Sequence, residues 1–548
     1  MSGLRTKRRL SLLAGVGAIA VLVVGVAVFA LGWFEDVEPL PSFSQQACAL
    51  PDEWLERIER GHYPGHSGDI SILPRTPAYM ASGAGGWSHS GPWEYLQEVP
   101  LVFYGPGIVD QGVEVDRPVT TADVVPTFAA LVKGAVESDG TRLTEVADIS
   151  GADLQKDRPS LVLTVVWDGG GWNSLDQWPD SHPVLTSLIE DGVSYTNATV
   201  GSSPSVTPST HTTLGTGFFP DTHGISGIPV KDENGEVADS FLKGESAHFL
   251  QVPTFAERWD EQNENRAEVG MVGYEPWHLG MIGAGAERPG GDKDDAVWLD
   301  IETNEWTTNP EHFRLPPALV PAGGVQEALA EDIDALDAAD GKVDGAWRDQ
   351  AILDELDRLE ETPAFISYHA RAMMDLIEQD GYGDDEITDF LFTNFKQIDR
   401  VGHYFSMESD EVRDSIEATD EQLGEIVDFL DEEVGRGRYV VVVTADHGMQ
   451  PDEEVTGGFG INPTELEADL KEEFGDVVRG VWPTEVFFFP EALEQGDVDV
   501  DEVARFIGDY RVEDNFTEDT GGTGSFDLDD RLFDMAIPAD LLEGGLQC

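Results

Sequence analysis

The chain has 548 residues, with 106 Asp and Glu against 33 Lys and Arg, a formal charge of −73. Polyanion recognition runs on clustered Lys and Arg, so this balance argues against nucleic acid as a partner and predicts a solvated acidic surface. Self-repulsion on this scale fits a salty medium that screens it, and the length suffices for one large enzyme domain with insertions or for two or three ordinary domains.

Residues 1–9 carry Arg5, Lys7, Arg8 and Arg9 and read as a short cytoplasmic N-terminus. Residues 10–34, LSLLAGVGAIAVLVVGVAVFALGWF, are uncharged and long enough to cross a hydrocarbon core of roughly 30 Å as one helix. Glu35, Asp36 and Glu38 follow it, so the positive-inside rule puts the rest of the chain outside the cell, held at the membrane by this anchor. A signal peptide cleaved near Phe29-Ala30-Leu31-Gly32 is the alternative, and the length of the apolar run favours an uncleaved span. Residues 35–47, with two prolines and no periodicity, read as a linker. The only cysteines are Cys48 and Cys548; an oxidising compartment would let them pair, and their spacing resembles no Cys zinc site.

Beyond the linker, short β-branched and aromatic runs predict strands at Ile70–Leu73, Pro100–Tyr104, Leu161–Trp167, Val269–Tyr274, Ala364–Tyr368, Phe390–Phe395, Tyr439–Thr444 and Glu485–Phe489. LVLTVVW and YVVVVTA are apolar at consecutive positions, as strands covered on both faces must be. Helical patterns fall at Thr121–Val132, Asp349–Leu359 and Ser409–Glu433, so the expected fold is a three-layer α/β/α sandwich around a mostly parallel sheet. Residues 136–159 are polar and read as a linker. Residues 228–348 are rich in Gly, Pro, Trp and acids, and 228–385 is read as a cap or insertion over the core. That leaves 48–135, 160–227 and 386–548 as candidate core.

Three clusters carry chemistry. In VVWDGGGWN, Asp168 ends a strand, where open α/β sheets place their ligands; alone it is more often an ordinary turn. Downstream, SPSVTPSTHTTLGTGFFPDTHGISG leads into a helical run, and a hydroxyl such as Thr207 at that junction can be activated as a nucleophile and supported by helix N-terminal amides. In NFKQIDRVGHYF, Asp399 and His403 are four apart, so one helical turn puts carboxylate and imidazole on one face, a spacing suited to a divalent metal. In YVVVVTADHGMQ, an apolar strand ends in Asp446 and His447, adjacent ligands that core packing does not call for.

Together these clusters resemble the alkaline phosphatase superfamily, and within it the type I phosphodiesterase and nucleotide pyrophosphatase group. The order is the same: a strand-end Asp168; Thr207 and His211 in a T-x-x-x-H segment followed by Thr216-Gly217, Pro220 and His223-Gly224-Ile225; then Asp399 with His403; then Asp446-His447-Gly448-Met449. The family's last metal histidine normally lies downstream of DHGM, yet no histidine follows residue 450. The matching segment, GGWSHSGPWEYLQEVPLVFYGPGI, lies near the N-terminus and offers His89. The resemblance therefore implies a circular permutation, with the family's C-terminal part at 48–135. It also implies a bond between Cys48 and Cys548, because the permutation leaves its two loose ends adjacent.

The resemblance further implies two divalent metal ions, of the zinc type, one held by Asp168, Asp446, His447 and Thr207 and the other by Asp399, His403 and His89. Thr207 would attack phosphorus and carry a phospho-threonine intermediate; His211 and His223 match no ligand position and read as structural. The implied substrate is a small phosphate ester or diester. Two departures bear on which: Ile228 stands where many relatives have an Asn that contacts a phosphoryl oxygen, and GYEPWHLGMIGAGA offers only Glu275 and His278 where monoester-preferring relatives carry a Lys-x-Arg pair. Both favour a diester or pyrophosphate. A monoesterase or a headgroup transferase of the same superfamily remains the alternative, while a sulfatase would need Cys or Ser in place of Thr207.

Overall fold

The computed structural model describes residues 41–81, 86–134, 136–146, 158–300, 302–353, 356–517, 522–546 and 548. The predicted span at 10–34 lies outside them, as does the core of the predicted linker at 147–157; among the described residues no helix is long and apolar enough to cross a membrane.

Three strands set the architecture. Leu161–Trp167, Asp389–Phe395 and Tyr439–Thr444 are buried at every position, which is possible only where both faces of a sheet are covered. They run parallel and side by side, with Val162 opposite Phe390 on one flank and Val440 on the other. Alternate side chains feed two cores. Val162, Val166, Val440 and Val442 pack with Phe128 of the Val124–Val132 helix and Leu214 of the Thr207–Thr216 helix. Leu163, Val165, Val441 and Val443 pack with Met373 of the Pro363–Asp380 helix and Ile416 of the Asp410–Leu430 helix.

Among the described residues this sheet has nine strands, in the order Glu305–Thr307, Asp295–Asp300, Val269–Val272, Asp389–Phe395, Leu161–Trp167, Tyr439–Thr444, Leu101–Tyr104, Val193–Tyr195 and Val113–Val115. It is parallel from 295–300 through 439–444 and again between the last two strands, and antiparallel elsewhere. The fold is thus mixed α/β with a large, mostly parallel central sheet. The 228–385 range supplies three of its strands.

Two predicted elements differ. Ala364–Tyr368 is not a strand but the start of the Pro363–Asp380 helix: Pro363 takes the first turn, and Phe365, Ile366, His369, Met373, Leu376 and Ile377 continue one buried helical face that the short aromatic run conceals. Asp349–Leu359 gives a turn and a short 3₁₀ segment, Leu356–Glu361, in place of a helix.

A second sheet is antiparallel throughout, in the order Val478–Trp482, Glu485–Phe488, Ile70–Pro74, Phe533–Pro538. Its third strand comes from the start of the described chain and its other three from the end. Close by, Cys48 and Cys548 form a disulfide with Cα atoms 5.4 Å apart.

Candidate active site

The C-terminal ends of the three central strands meet at one point, and backbone hydrogen bonds lace them together. Asp168 N–H donates to the Phe395 carbonyl (3.0 Å), Asp399 N–H to the Asp168 carbonyl (3.0 Å) and Gly171 N–H to the His447 carbonyl (2.9 Å). Gly169, at φ +70°, is needed here: a Cβ would lie 2.9 Å from the Asp399 Cα, and its N–H donates to Asp446 Oδ1 at 3.1 Å. The three strand-end motifs of the sequence thereby become neighbours.

Asp168, Asp399, Asp446 and His447 are at most 2 % exposed. Thr207 is the first residue of a wholly buried helix, Thr207–Thr216, with Pro208 in its first turn and the Ser209 and Thr210 N–H groups donating to the Val206 carbonyl. That helix rests against the 3₁₀ segment Pro276–Met281, and the close approach requires Gly280, where a Cβ would lie 2.2 Å from Thr212 Oγ1. The approach brings His278 onto His211, with their Nδ1 atoms 2.9 Å apart.

The imidazoles are held in defined orientations. His89 Nδ1 faces the Ser205 carbonyl at 2.8 Å, His403 Nδ1 the Trp87 carbonyl and His447 Nδ1 the Gly448 carbonyl at 3.0 Å. A proton on each Nδ1 leaves each Nε2 lone pair pointing into the site. There His89 Nε2 lies 3.4 Å and His403 Nε2 3.2 Å from Asp399 Oδ1, and His447 Nε2 lies 3.3 Å from Asp446 Oδ2 and 3.5 Å from Asp168 Oδ1. Burial drives His89 well below its ordinary range and His447 to about 3, so both are neutral. Asp168 is pushed well up by burial and by Asp446.

The Nε2 atoms of His89 and His447 therefore face carboxylate oxygens across the site without donating to them. Asp399 Oδ1, Asp446 Oδ2 and His447 Nε2 are buried without a hydrogen-bond partner. Such an arrangement is costly unless cations fill it, and carboxylate plus neutral imidazole is a donor set suited to zinc-like divalent ions. Two sets of atoms converge within 4.8 Å on this logic, His89–Asp399–His447 and Asp168–Asp446–His447. The residues present fit the metal chemistry.

All seven residues singled out in the sequence are thus brought together: Asp168, Thr207, Asp446, His447, Asp399, His403 and His89. His223 is not; it bonds Thr213 Oγ1 (3.2 Å) and accepts the Ile225 N–H (3.1 Å) within its own segment. His211 lies inside the site, 3.6 Å from Asp446 Oδ2, and forms a further convergent set with Asp168 and His278. Sequence reasoning passed over Lys396 and Asn394. Lys396 Nζ reaches Asp399 Oδ2 (2.8 Å), Asp168 Oδ1 (2.9 Å) and Thr207 Oγ1 (3.1 Å), and Asn394 Nδ2 donates to Asp168 Oδ2 at 3.0 Å. The available signal was a Lys directly after an apolar strand and three residues before Asp399, in the first turn of the Gln397–Phe405 helix.

The site opens into a cavity of about 760 Å³ whose lining includes Thr207, Asp399, His403, Trp277, Trp482 and Ile228. Trp482 comes from the small antiparallel sheet, so both sheets shape the cavity. Glu275 also lines it; its Oε2 has no partner, and burial raises its pKa.

A buried hydroxyl at a helix start beside convergent carboxylates and imidazoles is an arrangement that can support attack on a phosphorus or similar electrophilic centre. Residues 162–528 match the model of the type I phosphodiesterase / nucleotide pyrophosphatase family. The chain belongs to that family, within the alkaline phosphatase superfamily, and is an enzyme of the phosphoester hydrolase class. It is similar to the alkaline phosphatase PafA of Elizabethkingia meningoseptica, 24 % identical over 402 residues, 64 % of this chain and 72 % of that one. It is likewise similar to a protein of Myroides odoratus named a calcium-transporting ATPase, 23 % identical over 411 residues, 64 % of this chain and 73 % of that one. The crystal structure of wild-type PafA shares the fold, with a TM-score of 0.53 and 22 % identity over 64 % of this chain and 76 % of that one.

Proposed function

We propose that the chain is a metal-dependent phosphodiesterase in which Thr207 is the nucleophile. The observation that carries this reading is the placement of Thr207 Oγ1, at a helix N-terminus and 3.1 Å from Lys396 Nζ, beside ligand atoms that have no partner. Asp168, Asp446 and His447 would hold one divalent ion with Thr207, and Asp399, His403 and His89 the other, zinc being the ion the donor set suits best. Bound there, the ions would lower the cost of alkoxide and phosphoryl charge.

Lys396, 3.1 Å from Thr207 Oγ1, stabilises that oxygen as it loses its proton, which leaves with the ester oxygen as an alcohol. Thr207 Oγ forms the bond to phosphorus as the ester oxygen leaves, giving phospho-Thr207. Attack by water on that phosphorus then breaks the Oγ–P bond and restores the hydroxyl.

A diester is the favoured substrate. Ile228 gives the cavity wall an apolar side chain with no hydrogen-bond donor, Glu275 adds a carboxyl rather than a cation, and Lys396 is already shared between Asp168 and Asp399. A dianionic monoester would find little compensation. The monoesterase reading rests on the names of the alkaline phosphatase relatives. Hydrolysis of bis-p-nitrophenyl phosphate and p-nitrophenyl phosphate by the zinc-loaded enzyme separates the two: kcat/KM should favour the diester, and a clear monoester preference would overturn this assignment.

Two further readings accompany it. The Ile70–Pro74 strand between Glu485–Phe488 and Phe533–Pro538, the Leu101–Tyr104 strand beside Tyr439–Thr444, and His89 at Asp399 support the circular permutation. The Cys48–Cys548 disulfide supports an oxidising compartment, and hence a catalytic region held outside the cell by a span at 10–34.

A further inference from the structure

At the end of the central sheet opposite the catalytic strand ends, three carboxylates converge with no counter-charge. Asp260 lies in the last turn of the Phe255–Gln262 helix, and Asp292 and Asp294 lie in the loop that enters the Asp295–Asp300 strand. One oxygen from each lies within 4.8 Å of the others. Asp294 is only 9 % exposed, yet its carboxylate has no hydrogen-bond or ion-pair partner among the described residues, and it faces Asp260 and Asp292. Asp260 is 4 % exposed and uses Oδ1 to accept the Ala267 N–H, which leaves its other oxygen to Asp292.

The basic side chains nearby are engaged elsewhere. Arg288 pairs with Glu257 (2.9 Å), Arg314 with Asp295 (2.5 Å) and Asp380 (3.3 Å), Lys293 donates to the Pro310 carbonyl (2.5 Å) and Arg266 to the Asn263 carbonyl (3.0 Å). Burial and the surrounding acids push the Asp294 carboxyl well above the usual range and Asp260 to about 7. Native proteins rarely bury an uncompensated carboxylate beside two others.

We propose that Asp260, Asp292 and Asp294 form a structural site for Ca²⁺, separate from the catalytic centre, that ties the end of the Phe255–Gln262 helix to the start of the Asp295–Asp300 strand. The donors are all oxygen, with neither imidazole nor thiolate, which selects a hard cation over zinc. Their irregular origin, two from a loop and one from a helix end, suits the tolerant coordination of Ca²⁺ better than the strict octahedron of Mg²⁺. The exposed Asp292 leaves room for water ligands.

The test uses the full enzyme with its catalytic metals saturated by zinc. Calcium content after equilibration with CaCl₂ and desalting, and thermal unfolding with and without CaCl₂ at matched ionic strength, are compared for the parent and Asp294→Asn. The parent should retain about one more calcium per chain than the variant and should unfold several degrees higher in CaCl₂. The variant should lose that response while its diester turnover stays unchanged. If Asp294→Asn does not fold, Asp292→Asn, at an exposed position, replaces it. Equal calcium content in parent and variant would overturn the site. So would an equal rise in Tm with NaCl, or a Tm raised by Asp294→Asn whether or not calcium is present, since these mark a cluster relieved by screening or by a shared proton.

Discussion

The two sheets are built on opposite plans. In the central sheet, each of three adjacent parallel strands is followed within a few residues by its own carboxylate, so Asp168, Asp399 and Asp446 meet because parallel strands expose the same end together. In the antiparallel sheet, Ile70–Pro74 pairs with strands more than 400 residues away, and its neighbourhood is closed by a covalent bond between Cys48 and Cys548. The first arrangement concentrates chemistry; the second holds the chain's distant parts together and lends only Trp482 and its neighbours to the cavity wall. If this division is right, damage to one sheet should be felt as lost turnover and damage to the other as lost stability.

The largest effect should come from Thr207→Ala, which removes the attacking oxygen but leaves every carboxylate and imidazole in place. Turnover should fall by about 10⁴-fold or more while the far-UV spectrum and bound metal stay near the parent's values. Activity within tenfold of the parent would break the comparison at its centre. The mirror experiment is the double variant Cys48→Ser/Cys548→Ser. Opening a loop with a sequence separation of 500 should cost stability with a chain-entropy ceiling of about 6 kcal/mol, read as a lower denaturation midpoint, with kcat at 25 °C nearly unchanged. A collapse in kcat with unchanged stability would reverse the roles assigned to the two sheets.

His89→Ala sharpens the boundary, because His89 comes from the N-terminal region but faces Asp399. It should weaken metal binding by about 10- to 100-fold, as much as His403→Ala does, measured by metal content after dialysis. Retention of the full metal complement would place His89 outside the ligand set.

The smallest effect concerns Glu485, whose Oε1 accepts the Gly68 N–H at 2.9 Å inside the antiparallel sheet. Burial raises it from 4.5 to about 7. The folded state therefore holds this proton more tightly than the unfolded one, a contribution fully present below about pH 4.5 and lost as pH rises to about 7. The loss is at most about 3 kcal/mol. Glu485→Gln keeps the acceptor for Gly68, so it should flatten that part of the stability-versus-pH curve. An unchanged slope would show that Glu485 stays ionised.

How far the sequence reveals all this follows from the same contrast. Asp168, Asp399, Asp446 and His447 are legible because each follows an apolar strand within a few residues, so local pattern and site coincide. Lys396 and Asn394 share that address but belong to no ligand spacing, and only the packed strand ends show them meeting Asp168. His278 enters through the contact of a 3₁₀ segment with the Thr207–Thr216 helix, and no local rule encodes that contact. The antiparallel sheet is legible only in part: Ile70–Pro74 and Glu485–Phe488 show as apolar runs, but Phe533–Pro538 finds its partner only across most of the chain, and pairing at that range leaves no periodic trace. The Pro363–Asp380 helix was concealed by the opposite fault, a five-residue aromatic run judged without the twelve helical residues after it.

The bond between Cys48 and Cys548 also turns most of the polypeptide into a covalent ring. A protease that cuts once at the exposed turn around Val343, 82 % exposed, would open the ring without releasing a piece. The nicked enzyme would run as one band before reduction and as two after it, and the two halves would stay tethered through a single sulfur–sulfur link. For such a hydrolase, one cleavage would then be a scar that leaves the molecule whole, and only a second cut or a reductant would take it apart.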